Sequence, residues 1–536
     1  MRPTNGKALP PSSRSARPRS RGVDLASTGG VARARIEKAG VVGAGVMGSG
    51  IAEVLAAAGI HVMIVDDAPG KSAAAVQQIA SRQRARAAAG KISADAAEER
   101  LARIEPVEAL DRLAGVDLVV EAIIERIEPK RQLVEALEKI VGPDAIIATN
   151  TSSLSVTAIA SAAKRPQRVA GYHFFNPVPV MKLVEVIPGA HTAPEVEHAL
   201  VELASRFGHH PVVAADTPGF IVNHAGRAFG TEALAMLREG VASIGEIDAI
   251  LRDAAGFKMG PFELMDLTGL DVSHPVMESV YTQFYHDPRY RPSVIAAQRV
   301  AAGLLGRKTG RGFYAYEANR QVAPPEPASK AEVAGLPDCV AVLADNDAGD
   351  MQKLVASTGA ALCGAQDDNA LEQAGLILVG LEGGDAAGAA IRLGLPPSLC
   401  VGFDPYFGLD RHVTLVASSA TSENATSAAL ALVKGAGRKA TLVNDSCGAV
   451  CQRVVAMIVN IGSEIVEQKI ASAADVDAAV RLGLGYPHGP LEWGNRLGPA
   501  RILRILDTVH DRTRDPRYRA SLWLRRRAEL GLSLED

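Results

Sequence analysis

Cysteine is scarce in this chain of 536 residues. The five present (Cys339, Cys363, Cys400, Cys447, Cys451) all fall in its second half, and none has zinc-ribbon spacing. That excludes a disulfide-stapled scaffold, predicts five reduced thiols and points to a cytoplasmic compartment. It offers no metal site either. Cys447 and Cys451 lie four apart on a helical stretch where no His or further Cys completes a ligand set, so they read as core packing. Unbroken apolar runs are also missing. The charge-free stretch 145–163 is interrupted by Asn150, Thr151, Ser152 and Ser153, which excludes a membrane span there.

A net positive charge is missing from the body of the chain. The net charge is −3, but residues 1–35 carry eight basic side chains against Asp24 alone, giving a +7 tail and a −10 remainder. An acidic body has no basic surface for nucleic acid. The tail, rich in Pro, Ser and Arg and poor in apolar residues, cannot bury a core and is expected to be disordered. It lacks the apolar centre of a secretory signal, and its composition is open to three accounts: a dispensable tail, an organelle transit peptide or a start codon set too early. The remaining length suggests three or four domains of about 150 residues, enough to bury a large core without staples.

Residues 37–66 carry the first local signal. Val41 and Val42 end a short apolar strand. Gly43, Ala44, Gly45, Val46, Met47 and Gly48 then supply G-x-G-x-x-G spacing, and an Ala-rich helical stretch runs to Gly59. A second strand, Ile60 to Val65, ends at Asp66. In such a unit Gly43 makes the tight turn, Gly45 lets the backbone approach a pyrophosphate, and Gly48 allows helix and strand to pack closely. The helix N-terminus offers free N–H groups to phosphate. Asp66 stands where a carboxylate receives a ribose 2′-hydroxyl and repels a 2′-phosphate, which favours NAD over NADP. Further strands at 117–120 and 145–149, with helical stretches around 71–90 and 129–141, predict a mostly parallel, doubly wound sheet.

Four segments between 120 and 223 carry the candidate chemistry: VEAIIE (120–125), NTSSLSV (150–156), GYHFFNPVPVMKLVEV (171–186) and DTPGFIVN (216–223). His173 follows a strand and precedes a loop stiffened by Pro177 and Pro179, which cannot continue a central strand. The strand pattern resumes at Met181 with one carboxylate, Glu185. A chain that doubles back here sets Glu185 beside His173, the equipment of a general base working near neutral pH. A core histidine beside an unrelated surface ion pair remains the competing account.

Taken together, these segments and GRKTGRGFY (306–314) resemble the NAD-dependent 3-hydroxyacyl-CoA dehydrogenase family, over roughly residues 37–317. The resemblance implies reversible oxidation of an (S)-3-hydroxyacyl-CoA to the 3-oxoacyl-CoA, with NAD as cofactor. It implies His173 as base, Glu185 as its partner, and Ser152 and Asn223 as contacts for the substrate oxygen and nicotinamide. Glu125, Lys130, Ser152, Asn176 and Lys308 match positions that line the family's cofactor site, beside Gly43–Gly48 and Asp66. His224 stands where the family usually has Arg. Arg82, Arg84 and Arg86 could meet CoA phosphates, or simply form a solvated helix face.

An internal repeat follows. Asp216 and Gly219 return as Asp445 and Gly448, Gly260-Pro261 with Glu263 as Gly489-Pro490 with Glu492, and Gly269 as Gly498, all at offset 229. Asp287-Pro288-Arg289-Tyr290 returns as Asp515-Pro516-Arg517-Tyr518 one residue out of step. Upstream, VAGYHFF (169–175) resembles CVGFDPYF (400–407), placing Asp404 opposite His173, Leu415 opposite Glu185 and Gln452 opposite Asn223.

The expected fold is therefore α/β plus all-α: a basic tail (1–35), a Rossmann-like NAD domain (36–215), a helical domain (216–320), a linker (321–337), a degenerate Rossmann-like domain (338–443) and a second helical domain (444–536). The second copy reads as non-catalytic. Because single-copy relatives dimerise through the helical domain, it is expected to pack on the first as an internal pseudo-dimer, with further homo-oligomerisation open. The expected partners are an acyl-CoA substrate, with no nucleic acid, membrane or metal. The acyl group reads as 3-hydroxybutyryl or 3-hydroxyadipyl. Rival readings are a dehydrogenase of small non-CoA hydroxy acids, or a non-catalytic crystallin-like protein on the same fold.

Overall fold

The computed structural model describes residues 36–318, 320–322, 336–344, 348–363 and 374–535; the basic segment 1–35 and most of the expected linker lie outside them. Eight strands build the first sheet: β1 (Lys38–Val42), β2 (His61–Val65), β3 (Ile104–Pro106), β4 (Leu118–Glu121), β5 (Ile146–Thr149), β6 (Val169–Phe174), β7 (Leu183–Pro188) and β8 (His210–Val213), in the order β3-β2-β1-β4-β5-β6-β7-β8. All neighbours are parallel except β6 and β7. Every residue of β4, β5 and β6 is buried, as expected where helices cover both faces of a parallel sheet and apolar runs replace alternation. The break in polarity matters most. Pro177 and Pro179 turn the chain back on itself, so β7 returns alongside β6 with His173 directly opposite Glu185.

After a short hairpin, β9 (Tyr316–Glu317) with β10 (Arg320–Gln321), a second sheet follows. Its strands are β11 (Cys339–Leu343), β12 (Ala361–Leu362), β13 (Leu376–Gly380), β14 (Cys400–Phe403), β15 (His412–Ala417) and β16 (Lys439–Asn444), in the order β12-β11-β13-β14-β15-β16. It has two strands fewer than the first sheet but repeats the antiparallel pair, β14 with β15, beside a parallel strand. Two sequence expectations need correction. Cys339 and Cys363 form a disulfide, because neighbouring strands β11 and β12 bring their Cα atoms to 5.7 Å, within bridging range; Cys400, Cys447 and Cys451 are free and buried. The β14–β15 register pairs Phe403 with Leu415 where the first sheet pairs Tyr172 with Val186. So Thr414, not Leu415, stands at the position of Glu185. A slip of one residue reverses which face a side chain occupies.

Both helical segments are built by the same devices. Asp248 accepts from the backbone N–H of Phe262 and Glu263 at 3.0 Å each, and Asp477 does the same for Leu491 and Glu492 at 2.8 and 2.9 Å. A Cβ on Gly260 or Gly489 would come within 2.2 Å of the Cγ of that aspartate, so each helix start is open only to glycine. Asp216 anchors the N-terminus of helix Val156–Ala160 through Val156 and Thr157; Asp445 anchors helix Ala386–Leu393 through Ala386 and Ala387. Each carboxylate satisfies N–H groups that a helix start leaves without partners.

The two helical segments contact one another reciprocally. Glu232, fully buried on helix Arg227–Glu239, accepts from Arg453 (2.9 Å), Arg517 (3.1 Å) and Tyr518 (2.9 Å) of the later segment. In return Glu464, on helix Cys451–Glu467, takes Arg289 and Tyr290 of the earlier one. Arg289-Tyr290 and Arg517-Tyr518 are the repeated pair, so the contact has approximate two-fold character. One apolar core runs through both segments, from Leu183, Val222 and Phe229 to Val454, Tyr486 and Trp493.

Candidate active site

The strand pairing sets the geometry of the catalytic candidates. His173 Nδ1 and Glu185 Oε2 lie 2.6 Å apart, with Glu185 fully buried and His173 only 5% exposed. The other carboxylate oxygen of Glu185 accepts from the backbone N–H of Ile221 (3.0 Å) and Val222 (2.8 Å). A buried charge needs such partners, and three of them fix this carboxylate. The carboxylate in turn fixes the ring: Nδ1 is engaged and Nε2 is left for chemistry. The N–H donors belong to the DTPGFIVN turn, where Gly219 at φ +78° and Phe220 at φ +49° bring the chain round. Asn223, the next residue, donates from Nδ2 to the Ser152 carbonyl oxygen at 3.2 Å. His173 and Glu185, which are sequentially distant from Ser152 and Asn223, thus converge through one hydrogen-bonded turn.

Ser152 is held from the other side by Glu125. Its N–H and hydroxyl lie 2.8 and 3.2 Å from Glu125 Oε1, which also takes the Thr151 hydroxyl (2.7 Å). Lys130 meets Glu125 at 3.3 Å but is itself 1% exposed and locked to buried Glu121 at 2.8 Å. Burial would raise the Glu125 pKa, but the Lys130 charge and the Thr151 and Ser152 hydrogen bonds hold it below the usual carboxylate value. Lys130 thus stands between two carboxylates, Glu121 and Glu125. Glu121, which also takes the Thr149 hydroxyl, was not a sequence candidate. A carboxylate ending a buried strand was the signal available.

The glycine loop fits a dinucleotide. Gly43 sits at φ +101°, and a Cβ there would meet the Ala122 carbonyl oxygen at 2.5 Å; a Cβ on Gly48 would lie 1.7 Å from the Gly43 oxygen. Around Gly45 nothing lies within 4 Å of a Cβ, which leaves open the space a pyrophosphate needs. Helix Val46–Ala57 has no side-chain cap and no acid in its first turn, so its leading N–H groups are free for phosphate. Asp66 accepts from the Ala44 N–H (2.7 Å), the Ala68 N–H (3.1 Å) and Lys71 (3.1 Å). Burial opposes its charge, yet these bonds hold its pKa down at about 2, so it stays anionic beside the loop.

Other candidates are placed differently. Lys308 pairs with Asp271 on the helical segment. Asn176 is exposed, at the cis Asn176–Pro177 bond. Arg82 and Arg86 are drawn to buried Glu53 and Arg84 to Glu98. His224 is buried, with Nε2 2.7 Å from the Tyr290 hydroxyl, and burial drives its pKa down to about 3. It is a neutral core residue.

The 3-hydroxyacyl-CoA dehydrogenase NAD binding domain matches residues 38–217, and the C-terminal domain of the same family matches twice, at 219–316 and 448–534. The chain is 39% identical to the 3-hydroxyadipyl-CoA dehydrogenase of Escherichia coli, over 94% of this chain and 99% of that protein. It is likewise 39% identical to the 3-hydroxybutyryl-CoA dehydrogenase of Bradyrhizobium diazoefficiens, over 54% of this chain and 98% of that one. A crystal structure of 3-hydroxybutyryl-CoA dehydrogenase from Escherichia coli superposes with a TM-score of 0.80 at 37% identity, covering 93% of this chain and 99% of that chain. The chain belongs to the NAD-dependent 3-hydroxyacyl-CoA dehydrogenase family.

Proposed function

We propose that this enzyme oxidises a short (S)-3-hydroxyacyl-CoA, of the 3-hydroxybutyryl or 3-hydroxyadipyl kind, in the cytoplasm, and that only its first copy is catalytic. The observation that carries the reading is the buried His173–Glu185 pair at 2.6 Å. His173 Nε2 takes the proton from the C3 hydroxyl as the C–H bond at C3 breaks, and Glu185 stabilises the imidazolium that forms. The Ile221 and Val222 N–H groups hold the Glu185 carboxylate in place. Ser152 and Asn223 hold the substrate oxygen whose charge changes in the transition state, where preorganised donors act most strongly. Bound NAD, held by the Gly43–Gly48 loop and Asp66, supplies the hydride acceptor. At the equivalent positions of the second copy the chain carries Asp404 and Thr414, and we read that copy as the internal partner of the first helical segment.

The test is the rate of NAD reduction with 3-hydroxybutyryl-CoA and 3-hydroxyadipyl-CoA, against the free hydroxy acids. CoA thioesters should be turned over and free acids should not. Turnover of the free acids alone would select the rival dehydrogenase reading, and turnover of nothing would select the crystallin-like one.

A further inference from the structure

Buried arginines in this molecule come with carboxylates: Arg168 with Glu138, Arg289 with Glu464, Arg453 with Glu232 and Glu239, Arg517 with Glu232. Arg227 does not. It opens helix Arg227–Glu239 one turn beyond Asn223, and its Nε donates to the Asn223 carbonyl oxygen at 2.6 Å. Its Nη1 lies out of solvent with no hydrogen-bond partner among the described residues. Burial pulls its pKa down to about 10, with only the Tyr486 hydroxyl acting the other way. A guanidinium keeps its charge in proteins, so one held partly out of water without an anion carries an uncompensated cost that a bound carboxylate would relieve.

Its location selects the ligand. Arg227 is hydrogen-bonded to Asn223, and Asn223 to Ser152; all three side chains keep partial exposure. One helical turn, about 5.4 Å along the axis, separates Asn223 from Arg227. In a six-carbon diacid two methylenes separate the hydroxyl-bearing carbon from the far carboxyl, a comparable reach. A neutral acyl chain offers the guanidinium nothing, whereas a carboxylate can take its planar N–H fork in bidentate fashion.

We propose that Arg227 binds the carboxylate at the distal end of a short acyl chain, making this enzyme selective for ω-carboxylated 3-hydroxyacyl-CoA over the uncharged thioester of equal length. The inference rests on the reading that Ser152, His173 and Asn223 hold the C3 end of the substrate. It makes Arg227 a specificity residue whose effect is confined to one substrate class.

The experiment compares kcat/KM for 3-oxoadipyl-CoA and 3-oxohexanoyl-CoA, both with NADH, on the wild type, Arg227→Met and Arg227→Lys. The expected wild-type preference for the diacid is about 100-fold or more, the scale of a buried charge pair. Arg227→Met should bring that ratio close to one, and Arg227→Lys should keep part of it. The ratio within each protein is the readout, so a loss of Asn223 support that slows both substrates alike does not imitate the effect. Wild-type reduction of both thioesters at equal efficiency overturns this proposal alone, as does a Met variant that keeps the wild-type ratio. Reduction of neither thioester overturns the functional reading and this proposal with it.

Discussion

The same strand pair occurs twice in this chain, and its fate differs. Across β6 and β7, His173 faces Glu185; across β14 and β15, Asp404 faces Thr414. Counting back from the helices anchored by Asp216 and Asp445, Ser152 corresponds to Glu382, and Asn223 corresponds to Gln452. Asp404 is buried, with one oxygen bonded to Gln452 (2.9 Å) and the Tyr406 N–H (3.0 Å); its other oxygen and the Thr414 hydroxyl have no partner among the described residues. The helix anchors, the glycine starts and the Arg-Tyr turns persist in both copies. Each of these features sets a helix start or a turn, and a helix start that only glycine can occupy fails whatever the protein does.

The largest effects should come from the first site. His173→Ala is expected to lower kcat by about 10²–10⁴-fold, the usual contribution of a general base, with NAD binding by fluorescence titration retained. Glu185→Gln should lose a similar factor. An Asp404→Asn enzyme turning over at the wild-type rate completes the contrast, and a matching loss there would show that both sites work.

Next in size is the contact between copies. Glu232→Ala leaves Arg453 and Arg517 buried without that carboxylate and should destabilise the protein by about 3–5 kcal/mol in denaturant titrations. A midpoint close to wild type would mean that the reciprocal contact does not hold the copies together. Residues 36–325 expressed alone should aggregate or dimerise by light scattering, through the apolar face that Val454 and Tyr486 cover in the full chain.

The smallest effect tests the second site by pH. Burial raises the Asp404 pKa to about 7, against about 3.9 in an unfolded chain. Its stabilising contribution is thus complete below about pH 4 and lost as pH rises through 7. Asp404→Asn should therefore gain stability relative to wild type between pH 5 and pH 8, by about 1–3 kcal/mol. A Tm difference that stays flat over that range would place Asp404 in a wetter setting than its burial indicates.

Local spacing carried the legible part of the molecule. Gly43, Gly45, Gly48 and Asp66 could be assigned roles because each depends on neighbours within one turn or strand. His173 and Glu185 could be paired because two prolines force a hairpin between them. What stayed hidden depends on distant contacts. Lys130, which the resemblance sets among the cofactor-site positions, pairs with Glu121 on another element, a contact that local spacing does not reveal. Thr414 was missed because the chain from Phe403 to its partner Leu415 is two residues shorter than from Tyr172 to Val186, and hydrophobic matching slipped by one residue. The Cys339–Cys363 bridge arises from strand adjacency, which spacing in sequence does not reveal. Arg227 carried no motif, and its interest comes from a missing partner.

The reciprocal Arg-Tyr contacts with Glu232 and Glu464 have a further consequence. An assembly of separate chains comes apart on dilution, since its stability depends on protomer concentration. Here both halves of the contact are tied into one chain, and a tether fixes their effective concentration whatever the amount of protein. The pairing is unimolecular: dilution does not part the two helical segments, however few copies of the enzyme a cell holds.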